Sequence, residues 1–100
     1  MEITVHDFLA QKEGAFILDV REAWELKKVS LKKVTHCPLG DLVIFAETLP
    51  QDQTIYVLCH HGVRSLKAAL YLQGRGLNAI SIKGGIDAYA RDVDPTIGFY

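Results

Sequence analysis

A single thiol, Cys59, closes a strand-like run over residues 54–58 and opens the stretch Cys59-His60-His61-Gly62-Val63-Arg64-Ser65, which passes directly into a helix-like run over residues 66–73. A cysteine at such a turn lies at the carboxyl end of a strand and under the free N–H groups of a helix start, which favour negative charge. The thiolate is the nucleophilic form, and a helix N-terminus or a neighbouring cation promotes it. Cys59 is therefore expected to ionise readily and to act as a nucleophile. Gly62 can take the backbone angles that turn N–H groups inward, so the loop is expected to cradle an anion against the sulfur.

The neighbouring residues each have two readings. A protonated His60 or His61 would deepen the positive field and meet an anionic donor; if the rings stay neutral and exposed, only their backbone N–H groups matter. Arg64 either reaches the bound anion or turns back to pair with Asp19 and fix the loop. Ser65 caps the helix or donates to the sulfur. Arg21 and Glu22 read as an ion-pair scaffold beside the pocket. Cys37 lies in Val34-Thr35-His36-Cys37-Pro38-Leu39, a short β-like run stopped by proline, and reads as a small buried hydrophobe. A set of His36, Cys37, Cys59 and His60 lacks the paired spacing of zinc ligands, so neither metal nor other cofactor is expected.

These residues need elements to hold them. Residues 6–12 read as a short helix with Phe8 and Leu9 on its apolar face, and Phe16-Ile17-Leu18-Asp19-Val20 as a strand buried on both faces. Residues 23–28 form a brief helix, 34–37 a strand, and 41–49 a helix with Asp41 as N-cap before Pro50. After the strand 54–58 and helix 66–73 come a strand over 79–82 and a last helix over 86–91, preceded by Gly84-Gly85. Strands separated by single helices imply an α/β fold of three layers, a parallel sheet with helices on both faces.

Composition sets the bounds. One hundred residues with 49% hydrophobic content suffice for one domain, residues 1–100, whose core needs no disulfide. A formal net charge of −1 gives no broad basic field for nucleic acid or an acidic membrane surface. No basic leader and no run of about 18 apolar residues occurs, so the default location is cytoplasmic.

Four stretches in order carry a resemblance. Ile17-Leu18-Asp19-Val20-Arg21-Glu22, Pro38-Leu39, the loop from Cys59 to Ser65, and Gly84-Gly85-Ile86-Asp87-Ala88-Tyr89 together make the chain similar to a single-domain rhodanese, a rhodanese-like sulfurtransferase. The resemblance implies a five-stranded parallel sheet. It also implies a Cys59 that takes a sulfane sulfur from a donor such as thiosulfate and passes it, as a persulfide, to a thiol or cyanide acceptor. His60, His61, Gly62, Val63, Arg64 and Ser65 are then the substrate-binding loop, with Asp19 and Arg21 as loop support. Four residues separate Cys59 from Arg64, one fewer than in the phosphatase and arsenate-reductase relatives, and the tighter ring of donors suits an outer sulfur better than a phosphoryl group. A non-catalytic module that binds a partner protein is the alternative, and a sulfur-relay protein is a possible partner.

One stretch departs from the family. Where many members carry Gly-His-Ile-Pro-Gly-Ala, this chain has Val29-Ser30-Leu31-Lys32-Lys33-Val34, so the local loop is expected to differ. With Lys27 and Lys28 it offers either a solvated face or a dock for an acidic partner. Leu42-Val43-Ile44-Phe45-Ala46 is apolar all round, and the tail Ile97-Gly98-Phe99-Tyr100 is apolar too. The tail is expected to fold back on a neighbouring apolar surface, with the 42–46 helix beneath it or in a dimer contact, which leaves a monomer or weak homodimer.

Overall fold

Period-two alternation in three short apolar strands builds the centre of the molecule. A computed structural model describes residues 1–100. In it β2 (Phe16–Asp19), β4 (Ile55–Leu58) and β5 (Ala79–Ile82) lie side by side. Along β4 and into the turn, Ile55, Val57 and Cys59 face one core cluster, whereas Tyr56 and Leu58 face the other. Because successive side chains point to opposite faces, each strand contributes to two cores at once.

Two shorter strands complete the sheet: β1 (Glu2–Ile3) and β3 (Thr35–His36). The order is β1-β5-β4-β2-β3, parallel throughout, as expected from the alternation of strands and helices. β1 has no readable pattern in two residues; it is fastened to the edge by the Ser81 N–H on the Met1 carbonyl at 3.0 Å and the Lys83 N–H on the Ile3 carbonyl at 2.8 Å.

On one face of the sheet pack α4 (Val63–Gly74), through Ala68, Ala69 and Leu72, and the segment that contains α3 (Leu42–Phe45). On the other pack α1 (Val5–Gln11), α5 (Gly85–Asp92) and the chain after α2 (Ala23–Lys28), through Phe8, Ile86, Val29 and Leu31. α1 is capped by the Thr4 hydroxyl, which accepts from the Asp7 N–H at 3.1 Å. Its buried stripe is Val5 and Phe8, while Leu9, expected to share it, is exposed.

The 41–49 helix is the main departure from expectation. It is broken into 3-10 turns at Leu39–Asp41 and Ala46–Thr48 around the single turn of α3, and Asp41 makes no side-chain cap. Leu42, Ala46 and Leu49 point into the core, whereas Val43 and Ile44 are 62% and 83% exposed. The tail does fold back, but onto the other core cluster, through Ile97 and Tyr100, so it does not cover α3. In the divergent stretch Val29 and Leu31 are buried and Lys33 has φ +61, the left-handed conformation that favours glycine. Lys27, Lys28, Lys32 and Lys33 are all exposed.

The topology decides where chemistry can sit. From β2 the chain moves outward to β3, and from β4 it moves the opposite way to β5, so the connections diverge between β2 and β4. In open α/β sheets the crevice beyond the carboxyl ends at such a switch point is the usual ligand site. Asp19 and Leu58 are register partners there, so the chain leaves both strands at this edge, with Val20 and Cys59 in the same core cluster just beyond it.

Candidate active site

Two glycines shape the loop after β4. Gly62, the residue before α4, has φ +98, and a Cβ on it would stand 2.9 Å from the Gly84 nitrogen. Gly85 has φ +63, and a Cβ there would run into the carbonyl oxygens of Cys59 and His60. Those carbonyls accept from the N–H groups of Ile86 at 2.8 Å and Asp87 at 3.1 Å in the first turn of α5. The Gly84-Gly85 motif thus lets one helix start grip the carbonyl side of the loop.

The amide side turns to the sulfur. Cys59 Sγ accepts from the Gly62 N–H at 3.0 Å and the Ser65 N–H at 3.3 Å, and Cys59 is only 1% exposed. No group in the protein accepts from the N–H groups of His60, His61, Val63 or Arg64. Ser65 does not cap α4. Its Oγ lies 3.3 Å from Cys59 Sγ and 2.7 Å from Ser81 Oγ, a hydroxyl pair sealed between α4 and β5.

Beside the loop lies an ionic network that differs from the expected one. Asp19 pairs with Arg21, which reaches it through Nε at 3.0 Å and Nη2 at 2.8 Å, both side chains being fully buried. Arg64 therefore does not pair with Asp19. It makes a two-pronged contact with Glu25, at 2.6 and 2.8 Å. Glu22, expected in the scaffold, is exposed and forms no ion pair; its N–H is received by Glu25 Oε1 at 3.0 Å in a capping box that starts α2. Tyr100 joins the two pairs, accepting from Arg21 Nη1 at 3.0 Å and donating to Glu25 Oε2 at 2.7 Å. His36 Nε2 donates to the Arg21 carbonyl at 2.7 Å.

Charge follows from these contacts. The hydrogen bonds from Arg64 chiefly, aided by Tyr100, hold the Glu25 carboxyl at about 2 against the opposing effect of burial, and the same pairing raises Arg64. Burial works against charge on Arg21, but Asp19 and Tyr100 outweigh it. Burial and the Glu25 hydrogen bond push the Tyr100 phenol up to about 12, although Arg21 opposes them. The four charged side chains balance in pairs, so the network adds no free cation to the pocket.

His60 stacks on the Tyr100 ring, centroids 3.9 Å apart and planes 11° apart, and on His61 at 3.8 Å and 25°. Burial, then the neighbouring His61, pushes His60 below the ordinary 6.5, although Asp87, Glu25 and a hydrogen bond to the Tyr100 backbone pull the other way. These effects together favour the neutral form of His60. Backbone N–H groups at the start of α4 are aimed at the sulfur, and Arg64, though paired with Glu25, still interacts with it by charge.

Cys37 is fully buried, two strands away from Cys59 across the sheet, and both thiols are free. Burial, with Asp41 adding to it, pushes the Cys37 thiol up, which suits a core residue. His60, His61 and Asp87 bring one ligand atom each within 4.8 Å of one another. The two imidazoles are stacked, however, so their in-plane lone pairs do not converge on one ion without a ring rotation.

Glu25, Tyr100 and Ser81 were not among the expected site residues. Ser81 had a signal, a lone hydroxyl inside the apolar strand Ile80-Ser81-Ile82, and Glu25 had the Glu22-x-x-Glu25 spacing of a capping box. Nothing local marks Tyr100, which reaches the site from 41 positions beyond Cys59 in sequence.

Comparison with known proteins identifies the family and the fold. The Rhodanese-like domain family matches residues 4–92. Thiosulfate sulfurtransferase GlpE of Vibrio cholerae is 27% identical over 92 residues, 91% of this chain and 87% of that protein. A protein named Sulfurtransferase from Allochromatium vinosum is 28% identical over 90 residues, 89% of this chain and 84% of that one. The crystal structure of a rhodanese-related protein from Thermoplasma volcanium matches with a TM-score of 0.88 at 30% identity, over 92% of each chain.

Proposed function

Because this chain belongs to the rhodanese-like domain family, we propose that it moves a sulfane sulfur from a donor such as thiosulfate to a thiophilic acceptor through a persulfide on Cys59. The observation that carries this reading is the pair of N–H groups, Gly62 and Ser65, aimed at Cys59 Sγ beneath the start of α4. Donors fixed toward a sulfur stabilise negative charge on it with no reorganisation during reaction.

The thiolate of Cys59 attacks the outer sulfur of thiosulfate. An S–S bond forms, the sulfur–sulfur bond of thiosulfate breaks, and sulfite leaves with its electron pair, so the charge on the thiolate moves to the outer sulfur of the persulfide. Cyanide or a thiolate acceptor then attacks that outer sulfur, leaves as thiocyanate or a new persulfide, and returns Cys59 as thiolate. No net proton, metal or redox partner is required. The unpartnered N–H groups of His60, His61, Val63 and Arg64 are the reserve of donors available to the outer sulfur or the departing anion.

Arg64 supports this choice over phosphoryl chemistry. An arginine that clamps a transferring oxyanion must present its fork to it, but here both prongs are occupied by Glu25. Its role in this reading is to brace α4 against α2. Intact mass after incubation with thiosulfate tests the reading: one added sulfur is expected on the native protein and none on Cys59→Ser. A native mass that stays unchanged overturns it.

A further inference from the structure

We propose that Tyr100 is a positioning residue for the chemistry at Cys59: its ring holds the side chain of His60, the residue directly after the nucleophile, and its hydroxyl fixes that ring to the Arg21–Glu25 network. The inference rests on the sulfur-transfer reading for its kinetic part only.

His60 is the residue directly after the nucleophile, and its two ends are held by different parts of the chain. Its carbonyl accepts from the Asp87 N–H of α5 at 3.1 Å. Its ring lies flat on Tyr100, at 3.9 Å and 11°, a closer and more parallel contact than two rings adopt by general packing alone. With its carbonyl and its ring both held, His60 is fixed, and it begins the turn whose later N–H groups meet the sulfur.

Tyr100 is itself held in direction. Its hydroxyl takes a hydrogen bond from fully buried Arg21 at 3.0 Å and gives one to Glu25 at 2.7 Å, and the Trp24 indole meets the ring edge-on at 6.3 Å and 89°. The chain that delivers it is anchored too. Asp94 accepts from the Thr96 N–H at 3.1 Å to start the 3-10 turn Pro95–Ile97, and Ile97 packs on the core with Tyr100. A ring locked by two opposed hydrogen bonds transmits position; one resting on a surface does not.

The contact also has a signature that general stability does not share. The groups facing His60 are His61 on its own loop, Asp87 on α5, Glu25 on α2 and Tyr100 from the tail. Replacing the Tyr100 side chain exposes the ring to water while leaving in place the nearby charges and the hydrogen bond to the residue-100 backbone. Its loss should therefore move the His60 titration upward, toward the ordinary imidazole value of about 6.5.

The test compares Tyr100→Phe, which keeps the ring and removes the hydroxyl, with Tyr100→Leu, whose smaller, non-planar side chain leaves the face of the His60 ring open to water. Each is read by kcat/KM for thiosulfate and cyanide, by the iodoacetamide rate at Cys59, and by the NMR titration of His60. In Tyr100→Leu, kcat/KM is expected to fall about tenfold or more, as misplacement of a reacting group by a fraction of an ångström requires, and the His60 titration to rise. In Tyr100→Phe the His60 titration is expected to stay near the native one, with a smaller fall in kcat/KM. A Tyr100→Leu protein whose kcat/KM lies within about twofold of native overturns the proposal. So does a fall in kcat/KM with the His60 titration unmoved, since that is general destabilisation. If Tyr100→Leu does not fold, Tyr100→Phe decides: a His60 titration that rises in it overturns the role of the ring. If the native protein accepts no sulfur from thiosulfate, the sulfur-transfer reading fails by itself, and the role of Tyr100 is read from the Cys59 alkylation rate. That rate is expected to differ between native and Tyr100→Leu, and equal rates overturn the role.

Discussion

The loop from Cys59 to Ser65 and the segment from Leu39 to Leu49 border the same core, yet they are held in opposite ways. The loop is gripped from outside its own sequence: by α5 at its carbonyls, by Glu25 at Arg64, and by Tyr100 at His60. The 39–49 segment is held through Leu42, Ala46 and Leu49 against the core, and its outer residues Val43 and Ile44 stand in solvent. The loop is held largely by polar contacts from distant elements, the segment largely by apolar burial. Substitutions should separate the two regions sharply.

The largest separation is chemical. Cys59→Ser is expected to lower thiosulfate–cyanide sulfur transfer by more than about a thousandfold with the melting temperature little changed, because a hydroxyl fits the site but cannot carry the sulfur. Cys37→Ser, which places the same change in the core two strands away, is expected to retain most of the turnover. Comparable loss in both proteins would erase the contrast.

Gly85→Ala comes next. Its Cβ meets two carbonyl oxygens of the loop at a backbone angle of φ +63, so the grip of α5 on the loop must open. A loss of about 2–4 kcal/mol is expected in urea unfolding, from left-handed strain plus displaced hydrogen bonds. Turnover should fall further than stability alone explains. Gly40→Ala, in the loosely held segment where no atom lies within 4 Å of the added Cβ, is the control.

Glu25→Gln breaks the brace between α2 and α4. Glu25 is buried, and loss of its charge leaves Arg64 without a counter-ion, so a cost of about 2–3 kcal/mol is expected at neutral pH. The folded carboxyl sits near 2 against an ordinary 4.5, a depressed value. Its contribution is therefore fully present above 4.5 and is lost as the pH falls from 4.5 toward 2. The gap in urea midpoint between native and Glu25→Gln should be widest near neutral pH and close as the pH falls through that window. A gap that is constant with pH would show that the pair is not what Glu25 contributes.

Sequence reading recovered α2 and β5 at their observed bounds and the other central strands and helices within a few residues, because short apolar runs bounded by glycine, proline and acids are local signals. It placed Cys59 at the carboxyl end of β4 for the same reason. It misread the partners of Arg64, since Glu25 lies 39 positions away and its nearer role, a capping box, hides a second one. Residues 41–49 look helical by composition, and Leu42, Ala46 and Leu49 do enter the core at helical spacing, but the backbone tightens into 3-10 turns on either side of α3. The tail read correctly as folding back; of the two places offered for the 42–46 helix, the one beneath the tail fails, because an apolar segment does not say which surface will receive it.

The smallest effect belongs to the loose region. Ile44→Lys replaces an 83% exposed side chain and is expected to shift stability by no more than about 0.5 kcal/mol with turnover intact. A larger loss would show that α3 is covered in solution by something else, and sedimentation of the native protein against Ile44→Lys would then reveal a second copy as the cover.

The central claim is that the cradle of N–H groups exists to hold sulfur on Cys59. Intact mass spectrometry of the native protein after thiosulfate treatment and removal of excess donor tests it most directly. One additional sulfur is expected, mapped by peptide mass to Cys59, released by cyanide, and absent from Cys59→Ser. An unmodified native mass, or sulfur found on Cys37 instead, would contradict the account.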